Sequence, residues 1–540
     1  MIFLYKIVLL YIKHKYLNMT EQVKTLILFP TQLFESKHLE PIFEENKSKI
    51  NRIIVWEHEY YFTKYPYHKL KLAFHRATIE GWIEENEKKF KISHIKIDDK
   101  NPDTEISKLL TLSKTTSLCF FDPIELELKN KILHSNLISN KKINDTVEYV
   151  IYDSPYFLNT SEENINYLEE KSVRHDVFYK NQRIKFDIMV TGKDKPEGGK
   201  WSFDTENRLP YPKNQKDVPL LEFHSANRNS IIKSAVNFSN KEFSDNYGEC
   251  TEDNFIYPIN RKESIKWLED FVKRKLLYFG KYEDAISSEI PFGYHSLLSC
   301  LTNIGLITPE DIVEHVEKYK KNIASKEGFL RQVIGWREYC YVIYDNFSKE
   351  LEKNFFYDKN KKKIPKKFWE MKTEFPIIDD ALQVVNNYAY SHHIDRLMVI
   401  GNFLLLIGVH PKYIFEWFQT MYIDAYYVFM YPNVYGMLLY GFIDKPKNLH
   451  MMTRPYFCSS NYLKKMSNYR AHIVTIDEKE YKWEDLFDGL YYNLINKYKN
   501  KFEKIYSTAS SAKRWKEYGK KEQQEYLSNA KVYLNWIYKN

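Results

Sequence analysis

Apolar and polar positions alternate with two different periods along the first third of this chain. Short apolar runs at 24–29, 53–56, 95–97, 117–122 and 147–152 have the length and β-branched content of strands buried in a sheet. Amphipathic stretches such as 69–87 and 103–112 separate them. Strand–helix alternation predicts an α/β domain over 20–155 built on a doubly wound, mostly parallel sheet, with ligands expected at the carboxyl ends of its strands. Residues 156–260 are polar and carry Pro196, Gly198, Gly199, Pro210, Pro212 and Pro219, which reads as an irregular connector. From 261 to 540 strand signals vanish and the pattern is helical. Ile394, Leu397, Met398, Gly401, Leu404, Leu405 and Gly408 fall on one stripe, and its two glycines predict close approach of another element.

The first 19 residues are set apart as an N-terminal extension. The apolar stretch there is broken by Lys6 and too short to span a membrane, and it has neither a basic start nor a small-residue cleavage site. Met19 followed by an apolar run reads as the natural start of the first strand. No later run is long enough to span, so neither a membrane nor secretion is expected.

Composition narrows the class. The chain of 540 residues is 44% hydrophobic and 28% charged, which excludes a disordered chain. Lys+Arg 80 against Asp+Glu 72 gives +8, enough to permit an anionic partner and too little to prove one. The five cysteines form no CxxC pair, so no zinc ribbon or four-cysteine cluster is spelled, and their scatter points to a reducing, intracellular setting. The aromatic fraction of 16% is high, but a Lys-, Asn- and Tyr-rich, Gly-poor chain also arises from biased base composition.

Four segments carry candidate chemistry, and each also has a purely structural reading. His295, Ser296, Leu297, Leu298 and Ser299 form either an anion seat at a helix start or an N-cap on a core helix. Glu327, Arg331 and Glu338 fall near one helical face, with Gly335 open to something flat and Trp336 beside it. They either orient a phosphate or ring amide or make a structural ion pair. His392 and Arg396 are one turn apart, and His392 with His393 is either a proton donor to a reacting ligand or a packed pair without metal-ligand spacing. Asp424 and Asn433 are polar residues in an apolar, aromatic stretch and need ligand or backbone partners.

An ordered set of segments then resembles one family. GGKWSFDTENR (198–208), HSLLS…LTNIGLITP (295–309), EGFLRQVIGWREY (327–339), HHIDRLMV (392–399), GNFLLLIG (401–408), EWF…YIDAY…PNVYGM (416–437) and RPY…NYLKKMSNY (454–469) are together similar to the photolyase/cryptochrome superfamily. The branch is that of deoxyribodipyrimidine photolyase-related proteins, which includes iron–sulfur bacterial cryptochromes and prokaryotic (6-4) photolyases. The resemblance implies an α/β antenna-type domain and a larger all-α domain that binds FAD and the lesion. It implies light-dependent electron transfer from reduced FAD to a pyrimidine dimer in UV-damaged DNA, of the (6-4) type, by a monomer with no obligate protein partner. A cryptochrome-like blue-light photoreceptor is the alternative.

The residues follow the same way. His392, His393 and Tyr456 match the catalytic lesion site, and Trp369 and Trp417 match the photoreduction chain, with Phe418 where that chain carries tyrosine. His295 to Ser299, Glu327, Arg331, Trp336, Arg396, Asn402, Asp424 and Asn433 match the cofactor site. Gln32 and Glu57 match the seat of an antenna pigment like 6,7-dimethyl-8-ribityllumazine. Lys464, Lys465 and Arg470 are candidates for DNA. Three departures stand out. The four cluster cysteines fall at about Ile377, Arg470, Ile473 and Asp485, so no iron–sulfur cluster and no other metal is expected, with Tyr469, Trp483, Phe487 and Tyr491 packing the region instead. Met430 replaces a glutamate, and Thr31 replaces an aspartate beside Gln32.

Overall fold

The computed structural model describes residues 23–44, 52–133, 147–170, 174–192, 194–203, 208–357, 361–443 and 449–539. The N-terminal extension at 1–19 and residues 204–207 of the 198–208 segment lie outside them.

Five parallel strands form the sheet: β1 Lys24–Leu28, β2 Arg52–Trp56, β3 Lys91–Ile95, β4 Ser117–Phe121 and β5 Glu148–Tyr152, in the order β3-β2-β1-β4-β5. The three central strands are buried at every position, which is why they read as unbroken apolar runs. β1 pairs with β2 and β4, so the order reverses beside it. Their carboxyl ends converge on the loops that carry Gln32, Glu57 and Asp122. The remainder is mainly helical, as expected.

Two local expectations fail. The stretch 156–260 contains helices Ser161–Glu170, His175–Lys185 and Ala226–Glu242. The last packs along Lys69–Asn86 of the first domain. Their polar faces are wide and hid the helical period. The helical part also holds two small antiparallel ladders, Phe442–Ile443 with Leu449–His450 and Ile473–Ile476 with Lys479–Lys482. These strands, of two and four residues, are too short for a period to register.

Gly401 behaves as its stripe predicts. A methyl there would sit 2.7 Å from the Arg396 carbonyl and 2.9 Å from Leu438, so the helical segment Tyr431–Leu438 rests directly on it. Helix Ile323–Leu330 runs through a π-type stretch, Arg331–Arg337, into Glu338–Leu351. Wider π turns add residues to the spiral and carry Glu338 off the face shared by Glu327 and Arg331.

The two parts meet through buried polar groups. Lys71 Nζ donates to the Ala425 carbonyl at 2.6 Å and lies 4.7 Å and 4.8 Å from the ring centroids of Tyr67 and Tyr426. Burial pulls its pKa down to about 7. Glu125 accepts from Tyr60 Oη and the Tyr427 N–H, both at 2.9 Å, and burial pushes its carboxyl up to about 7. Because the folded value lies above the unfolded one of 4.5, the fold retains this proton longer, and stability declines as pH rises from 4.5 to about 7. Glu125→Gln should remove that decline. The variant should gain on the wild type between pH 5 and pH 8, by at most about 3 kcal/mol, in urea melts at the two pH values.

Candidate functional site

The site grows from one buried ion pair. Asp424, in the turn after helix Pro411–Met421, receives Arg396 in a fork, with NH1 at 2.9 Å from Oδ1 and NH2 at 3.1 Å from Oδ2. Arg396 Nε donates to the Ser391 carbonyl at 2.7 Å, and its guanidinium lies 4.2 Å from the Tyr422 ring centroid and 4.9 Å from that of Tyr390. Ser299 Oγ donates to Asp424 Oδ2 at 2.6 Å, and Asn303 Nδ2 to the Asp424 carbonyl at 2.8 Å. The helix after His295 is short, Leu298–Thr302, and opens with Leu297 in the left-handed region at φ +54. Ser296 Oγ accepts from the Leu298 N–H at 3.3 Å. The hydroxyls of this segment therefore fasten the loop to Asp424 and to itself, in keeping with its structural reading.

Beside the pair lies an imidazole cluster. The His295 and His392 rings are parallel, with centroids 4.6 Å apart and 3° between planes, and His393 meets His295 edge-on at 5.5 Å. His295 and His392 are buried, whereas the His393 side chain is 53% exposed. Burial holds His295 and His392 well below the ordinary histidine value, and it raises Asp395 to about 7. His392 is thus a neutral imidazole at pH 7, which donates a hydrogen bond without carrying charge. The ordinary near-neutral titration expected of it does not hold, because its ring is buried.

The second helix contributes less than its spacing suggested. Arg331 Nε is 3.3 Å from Glu327 Oε1, and Glu327 Oε2 accepts from the Phe203 N–H at 2.9 Å. Glu338 points elsewhere, accepting from the N–H groups of Leu158 and Asn159 at 3.0 and 3.1 Å. The flat group against Gly335 is the ring of Tyr179, 3.0 Å from where a methyl would sit. Trp336 Nε1 donates to Asn433 Oδ1 at 3.1 Å. Asn402 is not brought to the site; its amide is closed on the Cys458 backbone, at 3.1 Å and 3.3 Å. Met430 is buried among the aromatics that follow Asp424.

Toward solvent, Tyr456 lies under Arg454, 5.2 Å from ring centroid to guanidinium. Tyr462 feels the charges of Asp284, Arg208 and Arg454. Asp284 is also the partner of His393, so Tyr462 shares the charged surroundings of that histidine. Lys464 is tied to Glu484 at 3.3 Å, and Arg470 NH1 donates to two carbonyls, of Ser467 and Tyr469, so only Lys465 of the three expected DNA contacts is a plain exposed cation.

The tryptophans expected to carry electrons each meet other rings. Trp417 meets Tyr422 at 5.7 Å and Phe368 at 5.3 Å, and Phe418 stacks on Tyr422 at 5.5 Å. Trp369 stacks on Tyr247 with centroids 4.3 Å apart. Tyr247 is 39% exposed and was missed, because nothing local in sequence marks it.

The antenna candidates are engaged internally. Gln32 Nε2 donates to the Phe121 carbonyl at 3.1 Å. Glu57 is forked by Arg76 and also meets His94 at 3.2 Å and the Ile97 N–H at 2.9 Å. Thr31 Oγ1 bonds Tyr61 Oη at 3.0 Å. Where the resemblance puts cluster cysteines, Ile377 is buried, Ile473 is exposed on a hairpin, and Trp483 Nε1 donates to the Arg470 carbonyl at 3.2 Å. Phe375, Trp483, Phe487 and Tyr533 pack there.

Residues 26–255 match the family described as deoxyribodipyrimidine photo-lyase-related protein. A (6-4) photolyase of Agrobacterium fabrum is 29% identical over 465 residues, which is 83% of this chain and 87% of that protein. Among solved structures, a Synechocystis cryptochrome superposes with a TM-score of 0.53 at 14% identity, over 78% of this chain and 83% of the other. A class III photolyase of Agrobacterium tumefaciens gives 0.50 at 15% identity, over 78% and 81%. At those identities the likeness to the solved structures is one of fold.

Removing one partner of the central pair leaves a buried charge unpaired. Asp424→Ala should lose about 3–5 kcal/mol of stability in denaturant melts. The double replacement Arg396→Met with Asp424→Leu should recover much of it, since no charge is then stranded.

Proposed function

This chain belongs to the deoxyribodipyrimidine photo-lyase-related family, and from that premise we propose that it repairs UV-damaged DNA in a light-dependent reaction, with the (6-4) photoproduct as its lesion. The observation that carries this reading is the imidazole cluster. Its buried members, His295 and His392, lie beside the charge-paired Arg396 and Asp424, and its third member, His393, is open to solvent, which supports proton donation to a bound lesion.

The donor set fits a flavin nucleotide. Arg396 and Arg331 are cations that would suit diphosphate and ring oxygens, and Asp424, already bonded to Arg396 and Ser299, is a carboxylate that would accept from a ring N–H. Asn433 and Trp336 form a polar pair, and Ser296, Leu297, Leu298, Ser299 and Glu327 complete the proposed seat. When bound and reduced, FAD supplies one electron to the lesion after absorbing blue light and recovers it once the bond is cleaved. The chain's own residues do the rest. His393, on the open edge, donates a proton to the lesion, and its Nε2 is oriented by Asp284 at 3.3 Å. His392, neutral and held at 3.2 Å by Asp395, steadies the floor beneath it. Tyr456 offers a face for an unstacked base, and Arg454 and Lys465 neutralise phosphates. The resemblance supports a ribityllumazine-like antenna at the Gln32 and Glu57 end of the sheet, though both side chains are already hydrogen-bonded. We also propose that no iron–sulfur cluster is held, since isoleucine, arginine, isoleucine and aspartate cannot act as thiolate ligands.

The purified protein should be yellow and free of iron, and illumination with a reductant should remove (6-4) lesions from an oligonucleotide. Bound flavin without loss of either lesion type in light would overturn the repair reading and favour a photoreceptor. His393→Ala should lose (6-4) repair by at least about 100-fold, the usual scale of general acid catalysis, while keeping flavin.

Trp369→Phe should slow photoreduction of oxidised flavin and leave repair from chemically reduced protein intact. Tyr247→Phe should slow photoreduction less, if the stacked tyrosine is the solvent-side donor. Transient absorption after a blue flash reads both.

A further inference from the structure

The imidazole cluster has a second property, independent of any flavin. His295, His392 and His393 each offer one ring nitrogen, and these atoms all lie within 4.8 Å of one another. We propose that the three imidazoles form a binding site for a divalent late first-row transition cation such as Zn2+.

Three observations carry it. First, His295 Nε2 and His392 Nδ1 are buried and have no hydrogen-bond partner. Orphaned buried nitrogens are costly unless something binds them. Second, two of the rings are braced as metal-binding histidines are. His392 Nε2 meets Asp395 Oδ2 at 3.2 Å, and His393 Nε2 meets Asp284 Oδ1 at 3.3 Å. A carboxylate on one ring nitrogen fixes the tautomer and makes the other nitrogen a better donor. Third, His393 is exposed, so a cation and a fourth, water ligand have an entry path.

The chemistry selects the ion. Three neutral nitrogens suit zinc, nickel, cobalt or copper, whereas magnesium and calcium prefer oxygen. A tetrahedral centre with bonds near 2.1 Å needs nitrogens roughly 3.4 Å apart. The nitrogens must close by up to about 1.4 Å to reach that, through rotation of the exposed His393 side chain and a tilt of the His295 and His392 rings out of parallel. The neighbouring cations are offset: Arg396 is paired with Asp424, and Lys275 Nζ is turned to the His295 carbonyl at 3.4 Å. The site was not expected from sequence, because adjacent histidines lack the spacing of two ligands on one helix. Here His392 precedes the helical turn, and His295 arrives from a distant segment.

The test is calorimetric titration of the purified flavin-loaded protein, freed of metal by chelation, with ZnCl2. One Zn2+ per chain is expected, with affinity reduced at least about 10-fold in His393→Ala and in Asp284→Asn. Both changes lie at the exposed edge and leave the core untouched. Co2+ should develop visible ligand-field absorption beyond the flavin bands in the wild type and not in His393→Ala. His224→Ala, which removes an exposed histidine paired with Glu222, should bind as the wild type does. Absence of Zn2+ binding, equal affinity in wild type and His393→Ala, or loss of binding in His224→Ala would each overturn the site.

Discussion

The Arg396–Asp424 pair is the constraint around which the helical part is arranged. A buried charge is tolerated only when it is paired and its remaining hydrogen-bonding capacity is met. Meeting that demand fixes several chain segments at once. Asp424 requires Ser299, and its carbonyl requires Asn303. Asn303 Oδ1 in turn accepts from Arg337, whose guanidinium lies 4.6–4.8 Å from the ring centroids of Tyr156, Phe157 and Phe429. Arg396 requires the Ser391 carbonyl, and so positions the chain that carries His392 and His393.

The same turn joins the two halves of the molecule. Immediately after Asp424, the Ala425 carbonyl accepts from Lys71, Tyr426 Oη lies 3.4 Å from His75 Nε2, and the Tyr427 N–H donates to Glu125. Lys71 and His75 stand one turn apart on the helix Lys69–Asn86 of the α/β domain. The sheet domain is therefore joined to the turn that forms one wall of the proposed cofactor seat, through groups whose burial makes misplacement costly. Displacing that helix would disturb Asp424 before it disturbed the rest of the helical domain.

Local pattern and tertiary partnership explain what sequence could and could not disclose. The five strands were legible because three of them are buried on both faces and carry no polar interruption. Gly401 was legible because a small residue on an apolar stripe has few other uses. The ordered motifs pointed to the family, and the site residues carried over from it remain part of the proposal. The partners were not legible. Nothing near Gly335 announces Tyr179, nothing near Glu338 announces the 158–159 backbone, and nothing near Asn402 announces Cys458. Tyr247 and Trp369 are joined only by the fold. The π-type turns were hidden as well, since a wider turn leaves no mark on apolar spacing until it has already shifted the face.

The carboxyl-terminal helices show how packing ties distant segments together. The segments near residues 375, 470 and 483–487 meet at packed rings. Phe375 lies against Tyr533 with centroids 4.4 Å apart and 9° between planes, and it meets Phe487 at 5.5 Å. Tyr533 Oη donates to the Thr373 carbonyl at 2.7 Å, and Trp483 Nε1 to that of Arg470. This arrangement spreads the hold over area and needs an element to close it. That element is the final helix, Lys520–Ile537, which lies along Trp483–Phe502 and delivers Tyr533. The last helix thus fastens the domain through packing, and part of the high aromatic content serves that end.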